Sequence, residues 1–230
     1  MVAAVDQTAD WGVQQIWSWR GHRCHWRVTG PAGAPPLLLL HGFGASSSHW
    51  RRTAPRLAER GWRVYSLDLL GFGASEQPAR PLSNGLWGYQ VCAFLRQVVQ
   101  QPAVLIGNSL GGLTALSAAV LQPKWVDAVV AAPLPDPALL NPVPRTMARW
   151  KRRWMRRLLR IILRLLPLEL LVPLISRTSL LKMGLQGAYF NSVAGDRDLL
   201  KLIARPAQRP TAARALRGMC FGMALRAQAS

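Results

Sequence analysis

A chain of 230 residues, half of them apolar, is long enough for one domain with a sizeable core, or such a core and a lid, and is no disordered polymer. Its formal charge of +19, from 29 Lys and Arg against 10 Asp and Glu, favours anionic partners such as a lipid surface or nucleic acid. Three scattered cysteines (Cys24, Cys92 and Cys220) with no C-x-x-C pair point to a reducing compartment and to no metal site. Met1 to Asp6 carries neither a basic n-region nor an apolar h-region, so no signal peptide is expected. No run of about 18 apolar residues escapes a charge or a proline, so no spanning helix is expected either. The expected setting is cytoplasmic, peripheral at a membrane surface.

Gln14 to Thr29 alternates partly, with Trp17, Trp19, Cys24, Trp26 and Val28, and predicts two strands joined near Arg20-Gly21-His22. His22 and His25 fall here with nothing to complete a ligand set, so they read as strand residues of the surface, not metal ligands. After a Gly/Pro loop at Thr29 to Pro35, the run Pro36 to Leu40 predicts a buried strand leading into His41-Gly42-Phe43-Gly44-Ala45-Ser46. A helix is predicted over about Ser47 to Arg60, with His49 in a packing role. Trp62 to Leu67 predicts another strand, ending in Asp68-Leu69-Leu70-Gly71-Phe72-Gly73-Ala74-Ser75. Glu76 to Gly85 reads as loop, and Leu86 to Gln100 as a helix with Trp87, Val91, Leu95 and Val98 on one face.

Val104 to Gly107 is a short apolar run that ends in G-x-S-x-G, followed by the small-residue helical pattern Leu113 to Val120. That is the layout of a nucleophile elbow, a sharp strand-to-helix turn with Ser109 at its tip. Gly107 and Gly111 supply the missing bulk that such a turn needs, and the helix N-terminus points free N–H groups at a developing oxyanion. Trp125 to Ala131 predicts the next strand. Apolar strands alternating with helices predict a mainly parallel sheet covered on both faces.

The three motifs H-G-F-G, D-L-L-G-F-G-A-S and G-N-S-L-G-G, in this order and spacing, resemble those of the α/β-hydrolase family over about residues 15–135. Within it the wording is similar to the cyanobacterial and plant branch of pheophytinase-like and chlorophyll-dephytylase-like esterases. The resemblance implies residues 1–135 as the N-terminal part of the core and 136–230 as a helical cap or lid with the start of a return to the core. It implies Ser109 as nucleophile and the backbone N–H groups of Phe43 and Leu110 as oxyanion donors, leaving the Phe43 side chain to line a pocket. It also implies that His41 supports the oxyanion loop and that Asp68 braces its own turn. Serine at the elbow argues against dehalogenase or epoxide-hydrolase chemistry, where the resemblance would require an aspartate.

Beyond Asp136 the composition shifts. Arg145 to Arg164 carries nine basic residues and no acid, with Met147, Trp150, Trp154, Leu158, Ile161 and Leu165 recurring at helical spacing. Arginine with tryptophan suits an anionic membrane surface, and no recognised nucleic-acid motif accompanies the charge. Leu165 to Ile175 is apolar but broken by Pro167, Glu169 and Pro173, as in a greasy lid. Gly195-Asp196-Arg197-Asp198 mimics the family's acid turn but reads as a helix start, and Thr211 to Leu225 predicts a further helix.

A serine hydrolase also needs a base and an acid, which follow the serine in this family. All four histidines (His22, His25, His41 and His49) precede Ser109, so the chain reads as C-terminally short, with its last core strands and its base missing. Asp136, after the strand Trp125 to Ala131, is the candidate acid. The reading is a serine hydrolase, an esterase on a lipophilic ester, with no cofactor. The alternative is an inactive family member that acts as a membrane-surface binding module.

Overall fold

A computed structural model of the chain describes residues 11–134, 148–177 and 197–224. Its centre is the run Pro36–Leu40 (β3), in which Leu37 to Leu40 are all buried. Side chains alternate across a strand, so these four leucines serve two cores at once. Leu38 and Leu40 face one layer, and Leu37 and Leu39 face the other. β3 is flanked in parallel by Arg63–Leu67 (β4) and Ala103–Gly107 (β5), and β5 pairs in parallel with Val126–Ala131 (β6). Val13–Trp19 (β1) and His22–Thr29 (β2) form the expected hairpin, and β2 joins β4 antiparallel. The order across the six strands is β1-β2-β4-β3-β5-β6.

One face is covered by Asn84–Phe94 (α2) and Leu110–Leu121 (α3), whose Trp87, Val91, Phe94, Ala115 and Ala118 close over Leu38, Leu40, Leu67 and Leu105. The other face is covered by Trp11, Trp50 and the short helix Ala54–Glu59 (α1), over Leu37, Leu39 and Val64. The single helix expected over Ser47 to Arg60 is divided into a 3-10 turn at Ser47–Trp50 and α1. Pro55 explains the break: it has no N–H to give and is tolerated only in the first turn, where α1 has it. The helix expected from Leu86 begins earlier, because Ser83 caps it by accepting the Leu86 N–H. Its last turn widens into a π-helical turn at Leu95–Val99 that Gln100 closes in a left-handed conformation.

The expected core–cap boundary after residue 135 lies outside the described residues. Beyond it come Arg149–Leu165 (α4), Leu168–Arg177 (α5), Arg197–Ala207 (α6), Ala212–Met219 (α7) and a π-helical turn at Cys220–Ala224. Of the Gly195 to Asp198 segment, Arg197 and Asp198 open α6, while Gly195 and Asp196 lie outside the described residues. This helical layer is fastened to the loop after β4. Arg209 donates to the Gly73 and Ser75 carbonyls, Thr211 donates to Gln77, and Gln77 donates to the Pro206 carbonyl. Arg217 of α7 grips the end of α4 through the Leu163 and Leu166 carbonyls and pairs with Glu169 at 2.6 Å.

One expectation about α4 is corrected. Its half-buried positions include Met155, Leu159 and Leu163, together with Arg152 and Arg156, outside the apolar stripe expected from the sequence. Of the expected apolar stripe, Leu158 is half-buried, Trp150, Trp154, Ile161 and Leu165 stay exposed, and Met147 lies outside the described residues.

Leu105 is fully buried at the middle of β5, beside β3. Leu105→Ala is expected to lower the unfolding free energy by about 3 kcal/mol, because the cavity it leaves in a sheet core closes only in part. Urea unfolding followed by circular dichroism measures this, and an unchanged midpoint would contradict the buried placement of Leu105 on β5.

Candidate active site

The turn between β5 and α3 is built by close approach. A Cβ on residue 111 would lie 2.1 Å from the Leu40 carbonyl oxygen, and one on residue 107 would lie 2.4 Å from the Gly111 carbonyl carbon. Only glycine fits either place, so the end of β3, the end of β5 and the first turn of α3 press together. Between them Ser109 adopts φ +53° and ψ −113°, a conformation that costs a non-glycine residue and persists only when its surroundings impose it. The imposing contacts are backbone bonds from Asn108 N–H to the Leu40 carbonyl and from Ser109 N–H to the Pro133 carbonyl.

The loop after β3 lies against this tip. A Cβ on residue 42 would stand 2.8 Å from Asn108 Oδ1 and 3.4 Å from Ser109 Cβ. Among the described residues, neither the Phe43 nor the Leu110 N–H finds an acceptor. The Phe43 side chain is 56% exposed and meets Phe72 edge to face.

His41 is fully buried beneath this loop. Its Nε2 accepts the Leu69 N–H at 3.1 Å, so the ring proton is on Nδ1, which donates to the Gly42 carbonyl at 2.8 Å. Burial lowers its pKa against the pull of Asp68, which keeps the ring neutral. Both nitrogens are thus spent on holding the loop, the role the resemblance gave this residue. His49 is half-buried against Trp50, and its pKa is pushed down to about 4 by burial and by the neighbouring His41 and Arg51.

Asp68 has partners that the sequence did not reveal. Because β2 runs antiparallel beside β4, His25 comes opposite it, and His25 Nδ1 lies 3.0 Å from Asp68 Oδ2. The carboxylate also accepts the backbone N–H groups of Ser47 and Ala74. Burial alone would raise its pKa, but the His25 hydrogen bond, the nearby imidazoles and the Ser47 N–H outweigh that and hold it at about 2. His22 likewise pairs with Glu76, at 2.8 Å. Both histidines lie on β2, as expected, but as half-buried partners of carboxylates, not as free surface residues. The His25–Asp68 pair follows from the non-local pairing of β2 with β4, which no local pattern encodes.

Two cavities border the region. One, of about 520 Å³, is lined by polar and basic groups including His25, Arg27, Ser47, Asp68 and Arg209. The other, of about 280 Å³, is apolar, with Phe43, Phe72, Val172, Ile203, Leu216 and Met219 in its wall. The smaller one reaches the elbow's loop through Phe43, so it is the better placed for an organic substrate. Ser109 itself lines neither. Asp136 lies outside the described residues, and among those described no group of three or more His, Cys, Asp or Glu is arranged to hold a metal ion.

The sequence profile of the alpha/beta hydrolase fold matches residues 35–187. The chain belongs to this family. It is 43% identical over 101 residues to the magnesium-chelatase 30 kDa subunit of Rhodobacter capsulatus, covering 41% of this chain and 34% of that protein. It is 37% identical over 99 residues to 2-hydroxymuconate semialdehyde hydrolase of Pseudomonas sp. strain CF600, covering 41% of this chain and 35% of that one. The stretch matched thus spans about a third of these relatives' length. Its fold superposes on that of an alpha/beta hydrolase fold protein from Burkholderia ambifaria with a TM-score of 0.69 at 24% identity, over 91% of this chain and 70% of that one. The family is hydrolytic in the second relative and carries a chelatase subunit's name in the first. The likeness to the pheophytinase-like branch rests on the wording of the motifs alone.

The depressed pKa of Asp68 makes a pH prediction. A carboxyl held at about 2 against an ordinary 3.8 contributes stability that is complete above the ordinary value and is lost as the pH falls through 2. Asp68→Asn should therefore cost on the order of 2 kcal/mol at neutral pH and flatten the acid limb of the unfolding profile between these values. Urea midpoints measured from pH 7 down to 2 test it, and an acid limb identical in the variant would assign that limb to other groups.

Proposed function

We propose that this hydrolase-family chain is a serine esterase in which Ser109 is acylated by a lipophilic ester. The observation that carries the reading is the strained Ser109 at the tip of the β5–α3 turn, with the Gly42–Phe43 loop laid against it. Ser109 Oγ adds to the ester carbonyl carbon, and the oxygen takes up negative charge facing the Phe43 and Leu110 N–H groups. The alcohol leaves with a proton, and water then releases the acid from the acyl-serine. The apolar cavity beside Phe43, walled by α5, α6 and α7, supports a hydrophobic substrate.

The reaction needs a proton acceptor for Ser109, and the four histidines are used elsewhere. His41 holds the oxyanion loop, His25 pairs with Asp68, His22 pairs with Glu76, and His49 packs on Trp50. This favours a second reading, in which the elbow is retained without turnover and the chain acts by binding. Asp136 stays the candidate acid under the first reading.

Labelling of the purified chain by a fluorophosphonate probe, with Ser109→Ala as control, separates the two. The esterase reading expects labelling that the substitution abolishes, and hence a base brought to Ser109 from outside the described residues. A folded chain that does not label supports the binding reading.

A further inference from the structure

The exposed ridge of α4 has no role in the chemistry at Ser109. Trp150 is 68% exposed, Trp154 59%, Ile161 52% and Leu165 77%. They recur at intervals of four, seven and four residues, so they stand in one row along a helix roughly 25 Å long. Two tryptophans and two aliphatic side chains left in water along a single row are a costly arrangement for a monomeric surface. Leu159 and Leu163 are half-buried instead, so the ridge is not the side by which the helix is held. On the next helix, Leu170 and Leu174 are also exposed, one turn apart.

The charge beside the ridge selects its occupant. Between Arg149 and Leu165 there are eight basic residues and no acidic one. Arg149, Arg153, Arg157, Arg160 and Arg164 fall on the flank next to the tryptophans and are exposed. A second copy of the chain would bring one cationic helix against another, and with 10 acidic residues against 29 basic ones the molecule offers little to offset that. A nucleic acid backbone would satisfy the arginines and leave the aliphatic row in water. An anionic bilayer surface satisfies both, with indoles and aliphatic groups at the depth of the headgroups and guanidinium groups on lipid phosphates.

We propose that α4 docks the chain on anionic lipid bilayers, lying in the interfacial plane with the Trp150–Trp154–Ile161–Leu165 ridge inserted and the flanking arginines on the headgroups. No helix among the described residues is long and apolar enough to cross a membrane, and the docking proposed here is lateral and reversible. It does not depend on Ser109 being acylated.

The test is co-sedimentation of the full chain with vesicles of phosphatidylcholine alone and of phosphatidylcholine mixed with phosphatidylglycerol. The chain should sediment with the mixed vesicles only and be released by high salt. Trp150→Ser with Trp154→Ser should weaken that binding roughly tenfold or more. Arg149→Gln, Arg153→Gln and Arg164→Gln together should weaken it on the order of 100-fold. Circular dichroism checks that the variants fold; if either does not, the lipid selectivity and salt release of the unsubstituted chain decide alone. Absence of binding to the mixed vesicles, or equal binding to both kinds, overturns the proposal. So does full retention of binding by the tryptophan variant, or tighter binding to duplex DNA that the same variant leaves unchanged. Because sedimentation does not read catalysis, a chain that docks but does not label with fluorophosphonate loses the esterase reading alone.

Discussion

The structure depends on the meeting of three chain segments at the carboxyl end of β3. Gly111, at the start of α3, has no room for a Cβ against the Leu40 carbonyl, and Gly107, at the end of β5, has none against Gly111. The same Leu40 carbonyl accepts the Asn108 N–H. Leu40 is followed directly by His41-Gly42-Phe43, so this one contact sets the distance between the strained serine and the loop expected to receive the oxyanion. A bulkier residue at either glycine would part β3 from α3 and move both halves of the site. The buried leucines of β3 and the two layers over them hold that junction still.

Asp68 is the second point of convergence, and it ties the helical layer to the sheet. Its carboxylate takes hydrogen bonds from His25 on β2, from the Ser47 backbone beyond the oxyanion loop and from Ala74 in its own turn. An ionised carboxylate that is 1% exposed is tolerable only because these donors replace water. The turn it holds then presents the Gly73 and Ser75 carbonyls to Arg209, which anchors the α6–α7 segment. Thus one buried charge shapes the loop on which the wall of the apolar cavity rests.

Much of this was legible in the sequence, for local reasons. The runs Pro36–Leu40 and Ala103–Gly107 are apolar at nearly every position, as strands buried on both faces must be, and the glycines around Ser109 announce a turn with no space in it. The family follows from those same motifs. The pairing of His25 with Asp68 was hidden, because it arises from β2 lying beside β4, forty residues or so away in the chain, and no local pattern encodes that neighbour. The face of α4 was hidden for a related reason. Its periodicity gives an apolar stripe, yet Leu159 and Leu163 outside that stripe are half-buried while most of the stripe stays exposed. The break before α1 was readable in Pro55, whose missing N–H forbids a continuous helix.

The charge of the molecule is distributed so that its two candidate surfaces do not interfere. Burial lowers the pKa of His41 and of the half-buried His49, and the buried Asp68 carboxylate is hydrogen-bonded. Eight basic residues and no acidic one stand on α4, away from the elbow. Yet the two surfaces share a mechanical link, since Arg217 holds the Leu163 and Leu166 carbonyls at the end of α4 while its own helix, α7, contributes Ala212, Ala215, Leu216 and Met219 to the cavity beside Phe43. A helix seated on a bilayer by its tryptophan ridge would hold α7, and with it the cavity wall, in a fixed relation to the lipid. The docking surface and the cavity wall belong to one helical layer, joined at Arg217. The proposed docking and the proposed substrate class are thus two consequences of one arrangement of apolar surface.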